Sequence, residues 1–120
     1  MAEKIFLSYA QQDRKIAERI EGYLRKHGIV TSPEVEFFDP QKGIQAGDNI
    51  RAILKNEIAA SSTVVIITSP NSAQSQWVSY EAGMASALGK PIVVVGVGGV
   101  GSKFAQALGD VRTIEIKDED

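Results

Sequence analysis

The residue best suited to chemistry in this sequence is Glu81, because its carboxylate falls within an otherwise apolar helical stripe. The stripe consists of Trp77, Glu81, Met84, Ala85 and Leu88, which a helix places on one face. Burial of an unpaired, ionised carboxylate is costly or raises its pKa, so such a glutamate is usually paired, partly hydrated at a cleft, or functional. Two interpretations follow: a catalytic carboxylate, or a salt bridge to Arg51 or Lys55 on the neighbouring helix.

A glycine-rich segment is a second candidate site. Residues 96–101 match the pattern G-x-G-x-x-G, and Asp118 follows about where a dinucleotide-binding fold has its acidic residue. In that fold the glycine turn follows the first strand, whereas four predicted strands precede it here. We therefore interpret the segment as a glycine loop at the edge of a sheet.

Five short apolar segments predict the strands that must position these residues. They are residues 4–9, 35–39, 63–68, 91–96 and 111–116. The third segment is almost entirely β-branched, which is typical of a central parallel strand buried on both faces.

Helical patterns alternate with these strands. The predicted helices cover residues 13–28, a segment from residue 48 with Ile50, Ile53, Leu54 and Ile58 on one stripe, and residues 75–88 and 102–108. Asp13 and Asp48 are predicted N-caps, and Gly28 and Gly89 end their helices. Residues 40–47, with one proline and two glycines, are predicted to be a loop. The alternation predicts a flavodoxin-like, doubly wound α/β fold, with a five-stranded parallel sheet in the order 2-1-3-4-5 and helices on both faces.

Composition excludes several classes of function. The 120 residues predict one domain, and a formal net charge of -2 without a basic run argues against nucleic acid as a partner. The apolar run at residues 91–100 is shorter than the ~20 residues of a membrane span, and the start of the chain has no signal-peptide pattern. With no cysteine and only His27, we expect no metal site and a reducing, cytoplasmic setting.

In an open parallel sheet, ligands bind outside the carboxyl ends of the strands. The residues predicted at that edge are Ser8, Tyr9, Phe38, Asp39, Ser69, Pro70 and those from Gly96 onward. The segment 40–47 is expected to lie over the same edge. The sequence therefore predicts that a site forms there.

Six segments in this order carry a resemblance to a known family. They are residues 6–10 with Asp13, 37–39, 46–48, 64–71, 77–81 and 89–95. Together they resemble the TIR (Toll/interleukin-1 receptor) domain of bacterial type, over most of the chain as a single domain. Trp77 and Glu81 form the W-x-x-x-E pair that enzymatic members carry.

The resemblance implies an NAD+ glycohydrolase that releases nicotinamide and leaves ADP-ribose or a cyclic isomer, with NAD+ as substrate and no cofactor. It implies that Glu81 is the catalytic residue and contacts the hydroxyls of the nicotinamide ribose. The substrate-binding residues would be Ser8, Tyr9, Ala10, Gln11, Phe38, Asp39 and Trp77. For Tyr9 and Trp77, core packing is an equally good interpretation.

The resemblance also implies activation by head-to-tail self-assembly with other TIR domains, in immune or antiphage signalling, together with a fused or partner sensor domain. The loop that would shift on assembly includes Pro40, Lys42, Gly43, Ile44 and Gly47. Residues 30–34 depart from the family pattern, and the chain stops where many relatives continue into a final helix. The alternatives are a non-catalytic TIR interaction module and a nucleoside-processing transferase of similar architecture.

Overall fold

Five parallel strands form one sheet, in the order β2-β1-β3-β4-β5. The computed structural model describes residues 3–69, 76–98 and 111–116. The strands are β1 (Glu3–Ser8), β2 (Val35–Phe38), β3 (Thr63–Thr68), β4 (Ile92–Val97) and β5 (Arg112–Ile116). Both the predicted strand order and the position of β3 at the centre of the sheet are confirmed.

Helices cover both faces of the sheet, as predicted. On one face, Ile5 and Leu7 of β1 pack with Ala17 and Leu24 from the first helical segment. On the other face, Phe6 packs with a core that contains Leu54, Ile58, Val78 and Ala82. Successive side chains of a strand point to opposite faces, so β1 contributes to both cores.

The first predicted helix is interrupted. A 3-10 turn at Gln11–Asp13 leads into α1 (Arg14–Glu18), and α2 (Ile20–Lys26) follows after Arg19. Arg19 leaves helical geometry, with φ -106° and ψ 6°, and its N–H bonds to Ile16 O, three residues back, at 3.0 Å. Its guanidinium lies 5.7 Å from the centre of the Tyr23 ring. The segment contains no proline or glycine at the break, so periodicity alone predicted one continuous helix.

Residues 40–47 are not entirely a loop, so that prediction was wrong. A short helix, α3 (Pro40–Gly43), begins directly after β2. The N–H groups of Lys42 and Gly43 donate to Asp39 O at 3.0 and 2.9 Å. Proline suits the first position of a helix, where its missing N–H would have had no intrahelical partner.

One of the two predicted N-caps, Asp48, was wrong. In α4 (Ile50–Ala60) the cap is Asn49, whose Oδ1 accepts from the Ala52 N–H at 3.1 Å. Asp48 instead accepts from the Gln45 N–H at 2.8 Å, which closes the turn before the helix. Asp13 occupies the N-cap position of α1, as predicted, but its side chain makes no capping hydrogen bond there. Gly28 and Gly89, in contrast, have the positive φ values expected of residues that end helices.

The apolar faces of two helices differ from the predicted stripes. In α5 (Gln76–Ala87) the buried residues include Val78, Ala82 and Ala85 together with Glu81, whereas Leu88 is 36% exposed. In α4, Leu54 and Ile58 are buried, but Ile50 is 46% exposed. α5 has apolar residues on both sides, and its smaller ones pack against the sheet. Hydrophobicity alone therefore did not predict its orientation.

Some predicted features lie outside the described residues. They are the helix at 102–108, the glycines from Gly99 to Gly101, Asp118, and the residues Pro70 and Asn71. Within the described ranges, no helix has the length and apolar character that crossing a membrane requires.

Candidate active site

Glu81 and Ser8 meet at the carboxyl edge of the sheet. Ser8 ends β1 and Glu81 lies in the second turn of α5, and the Ser8 hydroxyl donates to Glu81 Oε1 across 2.7 Å. Glu81 is 0% exposed and Ser8 is 1% exposed. Glu81 Oε2 has no hydrogen-bond partner among the described residues. The site therefore holds a buried carboxyl group with one hydrogen-bonded oxygen and one buried oxygen that has no partner among the described residues.

Burial raises the pKa of Glu81 from its ordinary 4.5 to about 8. The hydrogen bond from Ser8 opposes this effect because it stabilises the ionised form, and the negative charge of Asp39 adds to it. The group is therefore mostly protonated at neutral pH in the absence of a ligand. A nearby cation would favour ionisation.

The alternative salt bridge to Arg51 or Lys55 is not supported. Both residues are on the exposed side of α4, whereas the Glu81 side chain is buried. Ser8 is its hydrogen-bond partner, and neither cation is among the groups that set its pKa.

Tyr9 and Asp39 form a second polar pair at the same edge. The Tyr9 hydroxyl donates to Asp39 Oδ2 at 2.5 Å, which connects the end of β1 with the end of β2. Burial raises the pKa of Tyr9, and the bond to Asp39 raises it further, so the phenol stays neutral. Asp39 also accepts the first backbone bonds of α3 through its carbonyl. This pair therefore holds α3 against the β1–α1 connection.

A cleft of about 310 Å³ opens beside this pair, on the face that α1 and α2 cover. Its lining includes Leu7, Tyr9, Ala17, Glu18, Phe37, Asp39 and Lys42. Glu81 is not part of this lining, because it lies on the opposite face of the sheet with Ser8. The polar residues at the carboxyl edge therefore form two separate pairs, one on each face of the sheet. They are Ser8 with Glu81 and Tyr9 with Asp39.

The other residues predicted to bind substrate have mixed environments. Ala10 is buried, and Gln11 is exposed at the start of the 3-10 turn. The half-buried Phe38 ring lies 5.7 Å from the Phe6 ring, centre to centre, so it packs in the core. Trp77 lies on α5 one turn before Glu81, and its side chain is outside the description.

The predicted assembly loop is partly built into the fold. Pro40 is buried and Ile44 packs against the core, whereas Lys42 and Gly43 are exposed. A Cβ on Gly43 would lie 2.7 Å from Phe38 Cε2, so a larger residue there would force the ring to shift. Gly47 has a φ of 91°, which favours glycine through backbone conformation.

A buried contact that sequence reasoning missed connects Asp13 and Ser69. The Ser69 hydroxyl donates to Asp13 Oδ2 at 2.7 Å, between the β1–α1 connection and the end of β3. The only signal in the sequence was that Ser69 leaves a strand at the predicted edge. Among the described residues, no group of histidine, aspartate and glutamate side chains is placed to hold a metal ion.

Comparison with known proteins gives one family match. A family model described as the TIR domain matches residues 5–120. No curated protein gives a significant sequence match.

Solved structures share the fold at low sequence identity. The TIR domains of the activated Roq1 resistosome, which directly recognises the pathogen effector XopQ, have a TM-score of 0.60 and 23% identity. That match covers 81% of this chain and 58% of the other, so this chain spans less than two thirds of its length. The CMP N-glycosidase BcmB of Clostridium botulinum has a TM-score of 0.59 and 18% identity, with 95% and 89% covered.

A third structure, a 2-desoxiribosyltransferase from Leishmania mexicana, has a TM-score of 0.50 and 21% identity. The match covers 78% of this chain and 64% of that one. At these identities, all three comparisons show a common fold.

Proposed function

The chain belongs to the TIR domain family, whose model matches residues 5–120, and we propose that it hydrolyses NAD+ at the bond between nicotinamide and ribose. The observation that carries the proposal is Glu81, a buried carboxyl group at the ligand-binding edge of the sheet. One of its oxygens is held by Ser8, and the other has no partner among the described residues. Such an arrangement is costly for folding, so a functional reason for it is favoured.

The chemistry requires an anion where positive charge develops. When the ribose C1′–N bond breaks, its electron pair leaves with neutral nicotinamide, and positive charge passes to the sugar. In the proposed mechanism the Glu81 carboxylate stabilises this oxocarbenium-like sugar, and its hydrogen bonds to the ribose hydroxyls strengthen in the transition state. Water then adds to C1′ and loses one proton, which gives ADP-ribose. Attack by the adenine of the same molecule gives a cyclic isomer.

The names of two proteins of similar fold support this class of reaction. One is a CMP N-glycosidase and the other a 2-desoxiribosyltransferase, so both names refer to chemistry at a glycosidic carbon. We extend that chemistry to this chain because its polar groups gather at the edge where such folds bind ligands. The proposed substrate contacts, besides Glu81, are Tyr9, Ala10, Gln11, Phe38, Asp39 and Trp77.

Glu81 is closed to solvent, so the proposed reaction requires the site to open. We propose that head-to-tail assembly with further TIR domains moves the segment with Lys42 and Gly43 and admits NAD+. The Roq1 TIR domains belong to a resistosome, which supports assembly as the activating event. We place this activity in the cytoplasm, in immune or antiphage signalling controlled by a fused or partner sensor domain.

The test compares the parental chain with Glu81→Gln, both concentrated on a scaffold with NAD+, and separates the products by chromatography. Glu36→Gln, at an exposed position on β2, is the matched control. We expect nicotinamide from the parent and the control and none from Glu81→Gln. Nicotinamide released at the parental rate by Glu81→Gln would contradict the assignment of Glu81.

The second candidate is a TIR interaction module without turnover. The observation in its favour is the complete burial of Glu81, which in this conformation meets Ser8 and no solvent. If the parental chain assembles on the scaffold and releases no nicotinamide, the interaction module is the better account.

A further inference from the structure

The hydroxyl of Ser8 lies at the carboxyl end of β1, directly beyond the buried Phe6 on the same face of the strand. Alternation along the strand places Ser8 on the same face as Phe6, whose core includes Val78 and Ala82 from α5. A hydroxyl buried in such surroundings needs a polar partner. Glu81 Oε1, 2.7 Å from Ser8 Oγ, is that partner.

This contact determines what each carboxyl oxygen is able to do. A serine hydroxyl has one proton to donate, and the Ser8 proton is directed to Oε1. Oε2 has no partner within the described part of the chain. Oε2 is therefore the oxygen that remains for a ligand, and the Ser8 bond restricts rotation of the carboxyl plane.

On the basis of the proposed NAD+ hydrolysis, we infer that Ser8 is a positioning residue: it holds Glu81 Oε1 so that Oε2 meets the ribose hydroxyls. Ser8 then does not bind substrate itself, in contrast to the role that the resemblance implied. Its 1% exposure and its engaged proton agree with this assignment.

The same bond favours the ionised carboxylate. Among the described groups, the pKa of Glu81 depends on its burial, on Ser8 from β1 and on the charge of Asp39 after β2. The side chains of α4 in the same core are Leu54 and Ile58, which are apolar. Burial and Asp39 both raise the pKa, so Ser8 alone lowers it.

The test uses Ser8→Ala, Ser8→Thr and a matched control, Ser69→Ala. The control removes a second buried hydroxyl, whose bond to Asp13 has the same length of 2.7 Å but does not involve Glu81. Two quantities are measured: kcat/KM for NAD+ against pH on the scaffold, and the titration midpoint of Glu81 by carbon-13 NMR of labelled glutamate.

In Ser8→Ala we expect the rising limb of kcat/KM and the NMR midpoint to move to higher pH by about one to two units. We also expect kcat to fall at least about tenfold with little change in KM, because positioning acts on the transition state. Ser8→Thr keeps the hydroxyl and restores the parental midpoint. Ser69→Ala lowers stability and leaves the midpoint in place.

The inference is overturned if Ser8→Ala keeps the parental midpoint, or if Ser69→Ala moves it equally. Should Ser8→Ala fail to fold, Ser8→Cys, with a similar shape and a weaker donor, serves instead and is expected to give a smaller shift in the same direction. A parental chain without turnover contradicts the proposed function. In that case the titration midpoint of Glu81, measured by NMR, still tests whether Ser8 acts on Glu81.

Discussion

At the scale of single residues, Glu81 has opposite effects on folding and on the proposed chemistry. The folded chain holds a proton on Glu81 up to a pH of about 8, whereas the unfolded chain releases it near pH 4.5. Between these values the folded state binds more protons, so the free energy of unfolding falls as pH rises. The stabilising contribution is complete below pH 4.5 and is lost as pH rises through about 8.

Glu81→Gln should remove this pH dependence. The amide cannot ionise, so the free energy of unfolding should no longer fall between pH 5 and 8, where Glu81 contributes a slope of at most about 1.4 kcal/mol per pH unit. Urea unfolding at several pH values measures the slope. Glu36→Gln is the control and should keep the parental slope. If the free energy of unfolding of Glu81→Gln still fell with pH as steeply as that of the parent, Glu81 would not be the source of the pH dependence.

The proposed reaction needs the ionised carboxylate, so its pH dependence runs the other way. We expect kcat/KM for NAD+ to rise with pH, with a midpoint above 4.5 and no higher than about 8, because opening of the site relieves part of the burial that raises the pKa of Glu81. Initial rates of nicotinamide release across the pH range measure it. A flat profile of kcat/KM from pH 4 to 9 would exclude Glu81 ionisation as the controlling step.

Sequence alone predicted Glu81 because a carboxylate in an apolar stripe is an anomaly of composition. Its bond to Ser8 connects residues 73 positions apart, and no local pattern specifies such a pair. The same limit applies to Asp13, because its partner is also distant in the sequence. Its position suits a helix cap, but its carboxylate accepts a hydrogen bond from Ser69 at the end of β3. Local chemistry thus indicated candidate residues, and long-range packing decided their hydrogen-bond partners.

At the scale of elements, β2 and α3 lie at one edge of the fold and are only partly buried. β2 is an edge strand of four residues, paired with β1 alone. The Tyr9–Asp39 bond holds the start of α3 in place, and the Phe38 ring lies where a Cβ on Gly43 would project. An assembly partner that displaces this segment has to break these contacts.

Gly43→Ala should destabilise the fold, because the new Cβ would lie 2.7 Å from Phe38 Cε2 and force the ring to move. We expect a loss of about 1–3 kcal/mol in the free energy of unfolding. Gly83→Ala is the matched control, since no atom lies within 4 Å of its added Cβ, and alanine in a helix should add about 0.5–1 kcal/mol. Equal effects of the two substitutions would show that the Phe38 contact is not tight.

The strands could be predicted more fully than the helices. Runs of β-branched residues in β3 and β4 are buried on both faces, so hydrophobicity and structure coincide. α5 has apolar residues on several sides, so sequence placed Leu88 on the wrong face. α3 was taken for a loop because proline and glycine mark both turns and helix ends.

At the scale of the whole molecule, the site draws on β1, β2 and α5, which parallel topology brings to one edge. The proposed opening depends on a neighbouring domain, so activity should depend on association. We expect the rate per molecule to rise with protein concentration, and sedimentation on the same samples should show assemblies where the rate is high. Constant specific activity from a protein that sediments as a monomer throughout would contradict this.

The separation of 73 residues between Ser8 and Glu81 also has a consequence for how the chain folds. β3 lies beside β1, and α5 follows it in the chain, so we expect the two residues to meet only after the centre of the sheet has formed. Contacts between distant positions are expected late on a folding pathway, because a long loop must close first. A partly folded chain would hold Ser8 and Glu81 as separate, hydrated side chains. We therefore expect the buried Ser8–Glu81 pair to form late in folding and to be a property of the completed fold.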